Sequence, residues 1–199
     1  MSEAPPNPHL HHLAMAEQGK TLALQGRHGP ALERYRAALL MARQMSAPAV
    51  FARHYTDCIF ESLERSGQLA PALELCEAAC GEMAGVDDPT PIQIRDRASM
   101  LLRRGALLLR LDRGPEAENS LEEAVQLSGP GHLPLAEELL SWRRRALSIS
   151  GERLTEAQER HGYFVVRRDT LRRDLLDRSS PSSLASDPGR TGGAGTTSF

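Results

Sequence analysis

The sequence predicts an all-α protein: an array of antiparallel helical hairpins, closed at its C-terminal end by one long capping helix. Three observations predict it. Apolar residues recur at spacings of three and four, as in Leu32, Tyr35, Leu39 and in Leu121, Ala124, Leu127. Leu, Ala, Arg and Glu dominate, and aromatic residues make up only 4%, so the types that favour strands are scarce. Gly and Pro punctuate the chain at helix-length intervals: at 26–30, 48, 67–71, 85–91, 114–115, 129–131 and 151. Gly after a helix and Pro in the first turn of the next is the expected asymmetry.

Taken in order, the breaks leave four hairpins, at about 9–46, 48–84, 90–128 and 132–178. Residues 1–8 hold three prolines and are expected to be disordered. Residues 179–199 are rich in Ser, Gly, Thr and Pro; they carry too little apolar surface to offset the entropy of ordering, and a disordered tail is expected there too. Thr90-Pro91-Ile92-Gln93 reads as a helix start, with Thr as N-cap, Pro in the first position and Gln reaching back. From 152 to 178 the only turn signal is Gly162. Leu154, Ala157, His161, Phe164, Arg168, Leu171 and Leu175 fall at three/four spacing, as along one long helix. That helix either covers the end of the array or forms a seam for a homodimer through residues 152–178.

Composition bounds the function. The formal net charge is -2, which gives no reason to expect nucleic acid as a partner. No apolar run approaches the roughly 20 residues that span a bilayer. The first residues lack a basic segment followed by an apolar stretch, so a signal peptide is not expected. Cys58, Cys76 and Cys80 are an odd number without a dense framework, which fits a reducing cytoplasm.

The hairpins repeat in sequence. Residues 26–39 align with 67–80, and Gly26, Pro30, Ala31, Leu32, Glu33, Ala37 and Ala38 recur as Gly67, Pro71, Ala72, Leu73, Glu74, Ala78 and Ala79. A third copy, 112–125, keeps Pro115, Ala117, Leu121 and Ala124. Small residues let paired helices approach closely: Ala31, Ala72 and Ala117 on one side, Gly19 and Gly105 on the preceding helix. Tyr35, Cys76 and Leu121 are expected to fill the space against the next hairpin.

These residues resemble the tetratricopeptide repeat family. Gly19, Gly26, Ala31, Tyr35 and Ala38 stand at the family's spacing. The second hairpin departs from it, with Phe60 for the mid-helix glycine and Cys76 for the aromatic; the third has Asp112 for the turn glycine. The copies are offset by 41 and 45 residues (from 26 to 67 to 112), longer than the usual period of about 34. The resemblance covers roughly residues 13–128 and only loosely the fourth pair. It implies a right-handed α-α superhelix, a solenoid whose first helices line a concave groove that binds a protein or peptide segment.

With the family geometry, the groove lining includes Leu13, Lys20 and Leu24 on the first helix and His54, Asp57, Glu61, Glu64 and Arg65 on the third. Leu102, Leu109 and Arg110 come from the fifth, and Glu138, Ser141 and Arg145 from the seventh. Asp57, Glu61 and Glu64 form an acidic stripe between more apolar stretches, which suits a basic and aliphatic partner segment. Replacing Glu61 and Glu64 by Lys is expected to weaken capture without changing melting. The Lys/Asn/Arg set with which some family members clamp a C-terminal carboxylate is absent, apart from Lys20.

No catalytic constellation appears, and no cofactor is expected. Gly19-Lys20-Thr21 lacks the upstream glycine of a phosphate loop and lies in a helical pattern. His9, His11 and His12 read as a polar helix start rather than metal ligands, and Cys58, Cys76 and Cys80 as small buried residues. Arg103-Arg104, Arg143–Arg145, Arg167-Arg168 and Arg172-Arg173 read as salt-bridged, solvated faces. The expectation is a non-enzymatic adaptor, scaffold or chaperone. The alternative is a regulatory sensor that acts by dimerising through its last helix.

Overall fold

The computed structural model describes residues 9–178; the expected disorder of 1–8 and 179–199 lies outside the described residues. Nine α-helices are found among the described residues, and no strand: α1 (His9–Leu24), α2 (His28–Gln44), α3 (Ala49–Arg65), α4 (Leu69–Ala84), α5 (Pro91–Arg110), α6 (Gly114–Ser128), α7 (Pro134–Arg144), α8 (Gly151–Arg160) and α9 (Arg173–Arg178). A single 3-10 turn, Arg168–Thr170, precedes α9. From α1 to α7 each helix packs against the next, and α1 also touches α3. No helix among the described residues is long and apolar enough to cross a membrane.

Close approach within the hairpins depends on paired volumes. A Cβ on Gly19 would stand 2.6 Å from the Tyr35 ring, and one on Gly105 would stand 2.6 Å from Leu121. Tyr35 and Leu121 therefore fill the space over the glycine of their own hairpin; Tyr35 also meets Cys58 of the next hairpin, and Cys76 reaches the Met100 carbonyl of the one after. The second hairpin carries a large residue on its first helix (Phe60) and a small one on its second (Cys76), at the corresponding positions. All of these side chains are fully buried.

The turns repeat as well. Gly26, Gly67 and Asp112 all adopt left-handed backbone, with φ of 74°, 76° and 57°. In each turn the following N–H reaches back to close the helix: Arg27 to Leu22, Gln68 to Leu63, Arg113 to Leu108. The Thr90 capping box forms, with Gln93 answering the Thr90 main chain. Helix α5 is buried nearly all round from Ala98 to Leu109, as suits a central helix. One large core cluster extends from Ala31 to Val166, and a smaller one gathers Ala16, Ala38, Ala42 and Tyr55.

The long capping helix over 152–178 is not formed. Helix α8 ends at Arg160, and Gly162 turns left-handed with φ 65°. The Gly162 N–H bonds to the Glu159 carbonyl and the Tyr163 N–H to that of Gln158, the same closure as in the hairpin turns. Beyond it, Val165 and Val166 are β-branched and favour extended backbone. Residues 163–167 have no regular structure, and the chain crosses back to α1, where α9 packs. Leu154, Phe164 and Leu175 are buried within the one chain, so the expected dimer seam does not run along a continuous helix.

Candidate functional site

Three buried carboxylates lie under the returning segment: Glu17 on α1 and Glu61 and Glu64 on α3, exposed by only 4%, 3% and 5%. Each accepts hydrogen bonds from the segment 163–172, which we call the strap. Glu61 Oε2 accepts the N–H groups of both Val165 and Val166, each at 2.8 Å. Glu64 Oε2 accepts the Tyr163 hydroxyl at 3.0 Å. Glu17 Oε2 accepts the Arg172 N–H at 2.9 Å. The strap thus runs from α5 over α3 to α1, held largely through its main chain.

Cations balance these acids. Arg65 Nε donates to Glu61 Oε1 at 3.1 Å, and its guanidinium lies 3.9 Å from the centre of the Phe164 ring. Arg110 donates to Glu64 at 3.1 Å, to Thr155 at 2.8 Å and to Gln158 at 2.7 Å, which ties α5, α3 and α8 together. Gln158 in turn donates to Glu64 at 2.6 Å. Arg103 is buried between the rings of Phe60 and Tyr163, at 5.0 and 4.7 Å, and reaches Asp57 at 3.5 Å. Lys20 pairs with Glu17 at 2.7 Å.

Burial pushes the Glu61 carboxyl above its ordinary value, against the lowering effect of the Val166 N–H and Arg65. Burial raises Asp57 too, partly offset by Arg103. Burial lifts the Tyr163 phenol well above its usual value, so it stays a hydrogen-bond donor. The Cys58 thiol is pushed up to about 12 by burial.

The expected groove residues do not form one open surface. Leu24, Glu61, Glu64, Arg65 and Arg110 line one cleft of about 470 Å³ beside the strap. Asp57 lines another, of about 350 Å³, with Arg53, Asp96 and Arg103. Leu102 and Leu109 are buried in the core cluster, and Leu13 is half-buried. His54 is half-buried with its Nε2 3.8 Å from the Cys58 sulfur, and burial beside Lys20 lowers its pKa. From α7, Glu138 holds Arg160 and His161 at 2.6 and 2.7 Å and so fixes the end of α8.

Sequence reasoning missed Glu17, Arg103, Gln158 and the whole strap. Arg103 is not part of a solvated face, whereas Arg104, Arg144, Arg167 and Arg172 do pair with acids there. Nor is His12 part of a polar helix start. It is fully buried, shares a 2.7 Å hydrogen bond with Tyr55 and contacts the Phe51 ring edge-on. The isolated signal for the strap was Gly162 followed by two aromatics and two valines. A comparison with known protein families, curated proteins and solved structures finds no match to this chain.

Proposed function

We propose that this protein is a non-enzymatic binding module that holds an extended polypeptide segment in the trough formed by α1, α3 and α5. The observation that carries the reading is the use of buried carboxylates to accept main-chain N–H groups. Glu61 takes two successive amides and Glu17 a third, so a backbone is gripped largely irrespective of its side chains. Hydrogen bonds to a charged acceptor are roughly twice as strong as neutral ones. Of the aliphatic and basic segment expected for the acidic stripe, the strap brings the aliphatic part, Val165-Val166, onto Glu61, while Arg167 and Arg168 stay exposed and Arg167 pairs with Asp169.

In this reading the helices coil as a right-handed superhelix of the tetratricopeptide type. The repeated left-handed turns at Gly26, Gly67 and Asp112 support it, as do the paired volumes at Gly19/Tyr35 and Gly105/Leu121. The setting is cytoplasmic, where three unpaired thiols stay reduced. The test is capture of partners from native lysate by the intact chain and by its Glu61→Gln variant. The reading expects a set of captured proteins that is depleted at least several-fold by the substitution, while the helical CD signal is retained. Equal capture by a folded Glu61→Gln chain would count against it.

A further inference from the structure

The strap is seated by the trough's acids as well as by packing. Its buried apolar anchors are Phe164 and Val166, each 5% exposed, and Tyr163 and Val165 pack partly buried against the main core. Its polar anchors are three carboxylates that aim at its main chain and at one phenol. A permanent lid would be built more stably from hydrocarbon, because burying charges costs several kcal/mol per ion before pairing repays it. Acids turned toward backbone amides suit a site that must accept a strand and let it go.

The strap is also an imperfect occupant. Beside Phe164 and Val166 the cleft of about 470 Å³ stays unfilled, within the roughly 300–1,000 Å³ of ligand-sized clefts. His28 lines that cleft together with Ala23, Leu24 and Thr155. A segment with a larger side chain at this point would fill space that the strap leaves open. A second copy of the strap would leave the same space empty, so the cleft favours a segment of a different protein.

We infer that residues 163–172 are a built-in surrogate for the partner. The trough takes, in trans, an extended segment with a phenol over Glu64, an aromatic ring under Arg65, an aliphatic residue two positions later and a side chain large enough to fill the cleft beside His28, and that segment displaces the strap. This rests on the binding reading above and adds the partner's chemistry and its regulation by occlusion. A tethered competitor acts at an effective concentration of order millimolar. With an intrinsic dissociation constant of about 100 μM for the strap itself, a free segment binds the closed chain about tenfold more weakly than an opened one.

The test uses a synthetic peptide of residues 161–172 as probe. It is titrated into the wild-type chain and into the full-length Phe164→Asp/Val166→Asp variant, whose strap is weakened. The expected result is binding at least about tenfold tighter to the variant, lost again when Glu61→Lys is added. Equal binding by wild type and folded variant, still sensitive to Glu61, would overturn the surrogate role and leave the binding trough standing. Binding insensitive to Glu61, or none to the folded variant, would overturn both. Should the variant not fold, the wild-type chain decides. In ¹⁵N-labelled protein, excess unlabelled peptide should move the Val165 and Val166 amide signals to solvent-exposed positions while Leu121 and Ala124 stay put. Unmoved strap signals at saturating peptide would overturn the proposal. So would exchange of straps between copies, seen as concentration-dependent dimers.

Discussion

Glu61 shows how one side chain carries the account. Glu61→Ala leaves the Val165 and Val166 N–H groups without their acceptor, and an unsatisfied buried donor costs about 1–3 kcal/mol. Urea denaturation should show a loss of about 2–4 kcal/mol, and no measurable loss would mean that the strap is not seated there. For the same reason Glu61→Lys with Glu64→Lys cannot leave melting unchanged, as sequence alone suggested: both sites are buried and flanked by Arg65, Arg103 and Arg110. The pH dependence has a definite sign. The folded pKa of Glu61 is raised by burial, so its contribution to stability is full below the ordinary carboxylate value and is lost as pH rises through the folded pKa. The stability of wild type relative to Glu61→Gln should therefore decline over that window and then level off; a difference that grew with pH would contradict the burial. Glu61 and Glu64 were legible from helical spacing alone. Glu17 lay one position outside the series chosen, and the burial of Arg103 depends on Tyr163, far away in sequence, which no local pattern reveals.

At the scale of elements, the hairpins were legible because each is local: a small residue, a turn and a large residue within about a helix length. Gly19→Ala should destabilise by about 1–3 kcal/mol through overpacking against Tyr35. Gly105→Ala should do the same against Leu121, and Leu121→Val should restore part of the loss in that background. Full additivity of the last pair would argue against the contact. The end of α8 was misread for a physical reason. A stripe at three/four spacing from Leu154 to Leu175 fits one helix, yet Gly162 adopts the same left-handed closure as Gly26 and Gly67. No proline follows Gly162, so the usual second signal for a break is missing. Gly162→Ala has open space for its Cβ, and its cost is conformational alone, about 1 kcal/mol. Thermal denaturation should show a small drop with the helical CD signal undiminished; a stabilised, more helical variant would favour a continuous helix.

For the whole molecule, the decisive feature is closure of the chain on itself. The last described helix packs on the first, and the strap between them meets α5 through Tyr163 and Arg103, then α3 and α1 through their carboxylates. Such a return is non-local, set by contacts 99 to 155 residues apart, and sequence periodicity carries no record of it. Under the proposed function it joins stability to binding: a segment that entered the trough would first have to undo contacts that hold the fold. Amide hydrogen exchange at Val165 and Val166 tests this most directly. In the wild-type chain both amides should be protected although they lie outside any helix, and Glu61→Ala should abolish that protection while Leu121 and Ala124 keep theirs. Free exchange at both valines in the intact wild-type chain would contradict the account.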